Sequence, residues 1–179
     1  SGAYTEALEI ALQAVVSART LNTDSARTNI LLLRALIQLG GVYRALQAGS
    51  AAREIDLEAL ALKQTIESPS YTAVVTSVLC ADSVLVGEWA DAQQYARQAT
   101  LVAGNDRFVY VEIPHWHVTE ALVHGKDAAR AREHLARLNA HTGDGQRDRV
   151  QYLRASAELA QGEGQQEQAH SHLEEARVL

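Results

Sequence analysis

Apolar residues recur at three- and four-residue intervals along almost the whole chain, as in LIQLGGVYRALQAGSAAREIDLEAL (36–60), and strand-like alternation is nearly absent. Helical runs are punctuated at LNTDS (21–25), ESPS (67–70), GNDR (104–107) and HTGDGQRD (141–148), where Asn, Asp, Ser, Thr, Gly and Pro supply caps and turns. The stretches between these breaks are too long for one helix, and each is divided by a glycine: Gly49, Gly87, Gly125 and Gly164. The spacings of 38, 38 and 39 residues are the mark of a helical repeat array, in which stacked units bury faces that no unit can bury alone. The predicted organisation is a lone second helix over 1–22 and then helix pairs over 23–67, 68–105, 106–141 and 142–179, all in one domain. In the third pair, Pro114 lacks a helix donor and follows β-branched residues. A helix from about Asp106 to His124, bent near Tyr110, is expected, with a helix starting at Pro114 as the alternative.

Two adjacent glycines inside a helix need a reason, since each costs about 1 kcal/mol relative to alanine. Leu39, Gly40 and Tyr43 stand in the spacing L-G-x-x-Y, with Ala52 and Ala59 on the following helix. A small Gly40 lets the second helix approach while Leu39 and Tyr43 fill the space beside it. The corresponding places hold Leu79 with Cys80, then Thr119, then Ala157. The second helices GAYTEALEIALQA, GEWADAQQYARQA and GQQEQAHSHLEEA share a glycine and, five residues on, Ala7, Ala92 or Ala169. Tyr4 and Trp89 are expected as wedges between helices. GKDAARAREHLARL carries one extra residue, which turns Ala131 toward the core.

These residues resemble the tetratricopeptide pattern, and the resemblance covers nearly all of the chain. It implies an all-α fold, a right-handed superhelical array of antiparallel helix pairs (a TPR-like α-solenoid). The near-40 period and the phrase LGGVYRALQAGSAAREIDLEALAL are similar to the repeat superhelix of large bacterial LuxR-type regulators related to MalT. That resemblance implies an effector- or partner-sensing segment, set between a nucleotide-binding module and a helix-turn-helix. Neither G-x-x-x-x-G-K-[ST] nor a basic recognition helix after residue 160 occurs in this sequence, so none of that flanking chemistry transfers to its residues.

Composition narrows the classes further. The 179 residues are 47% hydrophobic and 21% charged with 2 Pro, the profile of a soluble helical domain. A net charge of -6 argues against a nucleic-acid surface, which needs clustered Lys and Arg. The longest apolar helix, ILLLRALIQL, is interrupted by Arg34 and Gln38 and is too short to span a membrane. One cysteine excludes an intrachain disulfide and fits a reducing, cytoplasmic setting. The opening SGAYTEAL and the lack of any Met are read as those of a piece excised from a longer protein.

Seven histidines raise a metal question, above all HWH at 115–117. His115 and His117 point about 200 degrees apart on a helix, and His117 and His124 lie roughly 10 Å apart. A closed site needs ligands about 2 Å from one ion, so no metal and no cofactor is expected. No Gly-x-Ser-x-Gly elbow or His-Glu-x-x-His helix occurs, and Glu54, Glu58, Glu174 and Glu175 read as solvated faces, so an enzyme is not expected.

What remains is the groove lined by the first helix of each pair. If Leu39, Gly40 and Tyr43 face the partner helix, then Arg34, Gln38, Gly41 and Arg44 lie toward the groove. The repeat carries that face onto Ser77, then Trp116 and Glu120, then Arg154 and Glu158. The expected occupant is a protein or peptide, with a small effector as a further candidate, and the alternative function is a general scaffold without a small ligand. Direct nucleic-acid or membrane binding is not expected.

Overall fold

The computed structural model describes residues 2–21, 25–102, 114–141 and 146–179. Nine α-helices and no strand occur among the described residues: α1 (Gly2–Thr20), α2 (Ala26–Ala45), α3 (Gly49–Lys63), α4 (Pro69–Leu85), α5 (Trp89–Val102), α6 (His115–His124), α7 (Ala128–His141), α8 (Gln146–Gly162) and α9 (Gln166–Val178). Ser25 and Ser68 cap α2 and α4 by accepting from the Thr28 and Tyr71 amides, and Pro69 opens the first turn of α4, where its missing N–H is harmless. Helix α6 starts at His115 with Pro114 as its N-cap residue, as in the alternative reading. Residues 106–113, where the longer helix was expected, lie outside the described residues.

Within each pair the chain turns back through the same device. Gln47, Gly87, Lys126 and Gly164 adopt positive φ of 59°, 78°, 58° and 76°. The next residue's amide reaches five residues back in every case, from Ala48 to the Tyr43 carbonyl, Glu88 to Ser83, Asp127 to Leu122 and Gln165 to Ala160. These are four Schellman turns, which satisfy the carbonyls left over at a helix end. They revise the sequence-based repeat marks in two units: Gly49 is the first residue of α3, and Gly125 caps α6 at φ -75°. The hydrogen-bond pattern, and not the nearest glycine, sets the left-handed residue.

Helix α2 packs on α1, α3 and α4, and α6 packs on α4, α5, α7 and α8, so each first helix joins neighbouring pairs. One core spans α1 to α4 around Leu33, Leu36, Leu39, Val75 and Leu79. A second spans α4 to α8 around Val118, Leu122, Leu135, Leu138 and Ala155. Each buried leucine contributes roughly 1.5–3 kcal/mol relative to exposure. Helix α4 belongs to both cores and is buried at every residue from Ala73 to Ser83. Of the expected packing residues, Leu39, Gly40, Ala52, Leu79, Cys80, Ala92, Ala131, Ala157 and Ala169 are buried, and Tyr43 and Trp89 are half-buried. Trp89 stacks on His124 of the next pair with ring centroids 4.0 Å apart. Tyr4, expected as a similar wedge, is instead 53% exposed, because no described helix covers that end of α1.

Gly40 acquires a specific cause. A Cβ on it would lie 2.6 Å from both carboxylate oxygens of Asp56 on α3. Its neighbour Gly41 would meet nothing closer than Arg44 Nη2 at 3.8 Å. None of the described helices is long and apolar enough to cross a membrane.

Candidate functional site

The first helices of all four pairs contribute to one open groove enclosing about 550 Å3. From α2 come Gln38, Gly41 and Arg44, from α4 Val78 and Leu85, from the start of α6 Pro114, Trp116 and His117, and from α8 Gln151 and Arg154. That volume lies within the range of small-molecule sites, roughly 300–1,000 Å3.

The floor of the groove is an ion cluster joining three helices. Arg44 donates through Nη1 to Asp56 on α3 and, at 2.9 Å, to Asp82 Oδ1 on α4. Both aspartates are fully buried. Two buried carboxylates around one guanidinium would leave a net negative charge in a medium that penalises it. Burial raises the Asp56 carboxyl well above the usual carboxylate range against the pull of Arg44, and the charge of Asp82 adds to the rise. Burial also raises Asp82, with Arg44 opposing. As ionised groups, both would keep one buried oxygen without a hydrogen-bond partner, Asp56 Oδ1 and Asp82 Oδ2. A proton on Asp56 would make the cluster neutral and, shared with Asp82, would give both oxygens a partner.

Above this floor, the Arg154 guanidinium lies over the Trp116 indole, 4.3 Å from its centroid. Such a stack holds the cation by the ring quadrupole while its in-plane donors stay available. The His117 ring is tilted against Trp116 at 4.7 Å and its Nδ1 sits 3.4 Å from Glu120 Oε2. Glu158 is half-buried, and its carboxyl is raised by burial and by the charge of Glu120, with Arg154 opposing.

The residues expected along the groove therefore separate. Gln38, Arg44, Trp116 and Arg154 line the cavity. Arg34 is exposed, and Glu120 and Glu158 are half-buried, but none of these three borders it. Ser77 needs correction: it is fully buried and its hydroxyl donates to the Val74 carbonyl at 2.7 Å. At that turn α4 reaches the cavity through Val78, and Ser77 lies beneath it.

Sequence reasoning missed Asp56 and Asp82, and it weighed the histidines only as metal ligands. His115 and His134 are fully buried, with His115 Nδ1 3.1 Å from His134 Nε2 across α6 and α7. Burial and the neighbouring His115 lower His134 well below the usual imidazole range. A signal for Asp56 was present: it falls between Ala52 and Ala59 at helical spacing, on the face used for packing. Among the described residues no three His, Cys, Asp or Glu side chains converge as metal ligands.

Repeated antiparallel helix pairs, identical within-pair turns and a groove lined by the first helix of each pair define a TPR-like helical-repeat solenoid. No protein-family model matches the chain, and no curated protein matches it by sequence. Solved structures similar to it include two helical-repeat proteins. The crystal structure of BtubC (BKLC) from P. vanneervenii aligns with a TM-score of 0.64 at 16% identity, over 99% of this chain and 73% of that one. The crystal structure of a Podosopora anserina putative kinesin light chain with nearly identical TPR-like repeats aligns with a TM-score of 0.63 at 18% identity, over 99% and 87%. At such identities the likeness establishes the fold.

Proposed function

We propose that the chain is a non-catalytic helical-repeat binding module whose inner groove receives a protein, a peptide or a small effector. The observation that carries this reading is the convergence of all four first helices on one cavity with an Arg154–Trp116 stack in its wall. Trp and Arg are the side chains most often found at the centre of binding sites. The chemistry of the lining supports binding over catalysis. Arg44 is committed to two buried carboxylates, and burial pushes the nearby Cys80 thiol up, away from the nucleophilic thiolate.

A photoreactive residue placed at Gln38, in the groove, or at the exposed Gln94 of α5 tests the assignment. A groove ligand cross-links from position 38 and not from 94, and Trp116→Ala reduces that labelling. Equal labelling from both positions would sink it.

The finer reading is the effector-sensing segment of a MalT-related bacterial LuxR-type regulator, and it rests on the sequence phrase around Gly40 and the near-40 period. The coding sequence on either side distinguishes it from a general scaffold. A P-loop module upstream and a helix-turn-helix downstream are expected, and a flank without either returns the chain to the scaffold class.

A further inference from the structure

We propose that the groove takes a small apolar monocarboxylate, with its carboxylate on the Arg154 guanidinium and its hydrocarbon body against Ile37, Val78, Leu85 and Pro114. This rests on the groove being the binding site. Among the described residues lining the cavity, Arg44, His117 and Arg154 are the charged or titratable ones, and none is a carboxylate. Arg44 is held by Asp56 and Asp82, and His117 faces Glu120. Arg154 makes no ion pair among the described residues. Glu158, one turn further along α8, is close enough to feel its charge but stays outside ion-pair distance. Among the described residues, one uncommitted cation therefore faces the groove.

Geometry then selects the head group. A guanidinium held over an indole face through its central carbon keeps N–H donors to spare, and a pair of these forms the fork that matches a carboxylate bidentately. One fork neutralises one charge. A phosphomonoester would bring a second negative charge beside apolar walls with no second free cation among the described lining residues, which is unfavourable. The body of the ligand follows from the remaining lining, in which aliphatic side chains and Pro114 alternate with Gln38, Gln47 and Gln151. An extended peptide would bring a donor and an acceptor per residue that need partners. Three glutamines supply few of these, whereas a hydrocarbon chain needs none. The enclosed volume of about 550 Å3 suits a compact acid.

Calorimetric titration of the wild-type chain near neutral pH with octanoate, 1-octanol, octylamine and a hexapeptide ending in a free leucine carboxylate tests the proposal. Octanoate is expected to bind saturably at one site, and octanol about tenfold more weakly, a difference of about 1.4 kcal/mol. Octylamine should not bind. Arg154→Met should erase the preference for the acid, and Arg154→Lys, which keeps the charge but loses the fork, should lose most of it. Because Arg154 is exposed, both variants should keep the wild-type thermal midpoint to within a few degrees. Octanoate and octanol of equal affinity, octanoate binding indifferent to Arg154→Met, or no saturation by about 5 mM octanoate would each overturn the proposal. Tighter binding of the peptide by tenfold or more would replace it with a peptide carboxyl terminus. The two readings fail separately: position-selective cross-linking from Gln38 without octanoate binding leaves the groove in place and removes only the acid.

Discussion

Gly40 and Asp56 face each other across the first helix pair at a separation that glycine alone allows, with a Cβ on residue 40 falling 2.6 Å from both carboxylate oxygens. Asp56 cannot yield, because it is buried and held by Arg44. The propensity penalty of Gly40 is therefore offset by an ion cluster that needs the space. Gly40→Ala should destabilise by about 1–3 kcal/mol through overpacking. Gly41→Ala should be neutral or stabilising by up to about 1 kcal/mol through helix propensity. Denaturant midpoints compare the pair, and losses of equal size at the two sites would contradict the facing assignment.

Asp56→Asn should be nearly isosteric with the protonated acid, its amide donating toward Asp82 and its oxygen accepting from Arg44. The variant should lie within about 1 kcal/mol of wild type at neutral pH, the size of one hydrogen bond. Removing Arg44 is different. Arg44→Met leaves two buried carboxyls without their cation, and should cost about 3–5 kcal/mol. The pH dependence follows from the raised Asp56. Its contribution is complete below the unfolded value near 3.8 and is lost as pH rises through the higher folded value. Urea titrations at increasing pH should show Asp56→Asn gaining on wild type. A gap that narrows instead would mean Asp56 folds ionised.

The His115–His134 pair carries the opposite sign. Contact between one nitrogen of each ring places a single proton between them, and full protonation would put two cations in the core. Since His134 is lowered in the folded state, its contribution is present above the unfolded value near 6.5 and falls away as pH drops toward the lower folded value. The loss can reach about 1.4 kcal/mol per pH unit for one proton. His134→Gln keeps a donor and an acceptor without titrating, so its acid limb below 6.5 should be flatter than that of wild type in thermal melts.

Two of the four within-pair turns hold a side chain in the left-handed region, Gln47 at φ 59° and Lys126 at φ 58°. Such a conformation costs a non-glycine residue roughly 1–2 kcal/mol. Gln47→Gly and Lys126→Gly should each stabilise, by up to about 1 kcal/mol after the added unfolded-state entropy is subtracted. Gly87→Ala, at φ 78°, should do the reverse. Guanidinium unfolding of the three variants is the check, and a stabilised Gly87→Ala would refute the account of the turn.

The parts of this fold legible in the sequence are those written in local signals. Ser25 and Ser68 cap helices at breaks marked by turn residues, and Ala52, Ala92, Ala131 and Ala169 are buried at positions given by the repeat. Contacts between distant residues were not legible. His115 and His134 meet because two helices cross there, which no spacing along either helix encodes. Ser77 shares the register of Trp116 but is buried, whereas its neighbour Val78, nine residues before the left-handed turn as Gln38 is, reaches the cavity. In the turns, two glycines lay within two residues of the left-handed position without occupying it, because backbone hydrogen bonds count from the helix end.

The ion cluster also makes the first two repeats distinguishable to one another. Three residues before each left-handed turn stand Arg44, Val84, Val123 and Gln161. Arg44 reaches into the second unit to Asp82, whereas Val123 packs where a side chain on Gly162 of the fourth unit would collide with it. A polar key thus fits one junction and an apolar one fits another. Units that share a backbone are for this reason not interchangeable modules: a chimera that moved the second pair behind the third would set Val123 against Asp82 and strand a buried acid. The order of the array is written into its junctions, and shuffling intact repeats should disrupt folding even where every helix is retained.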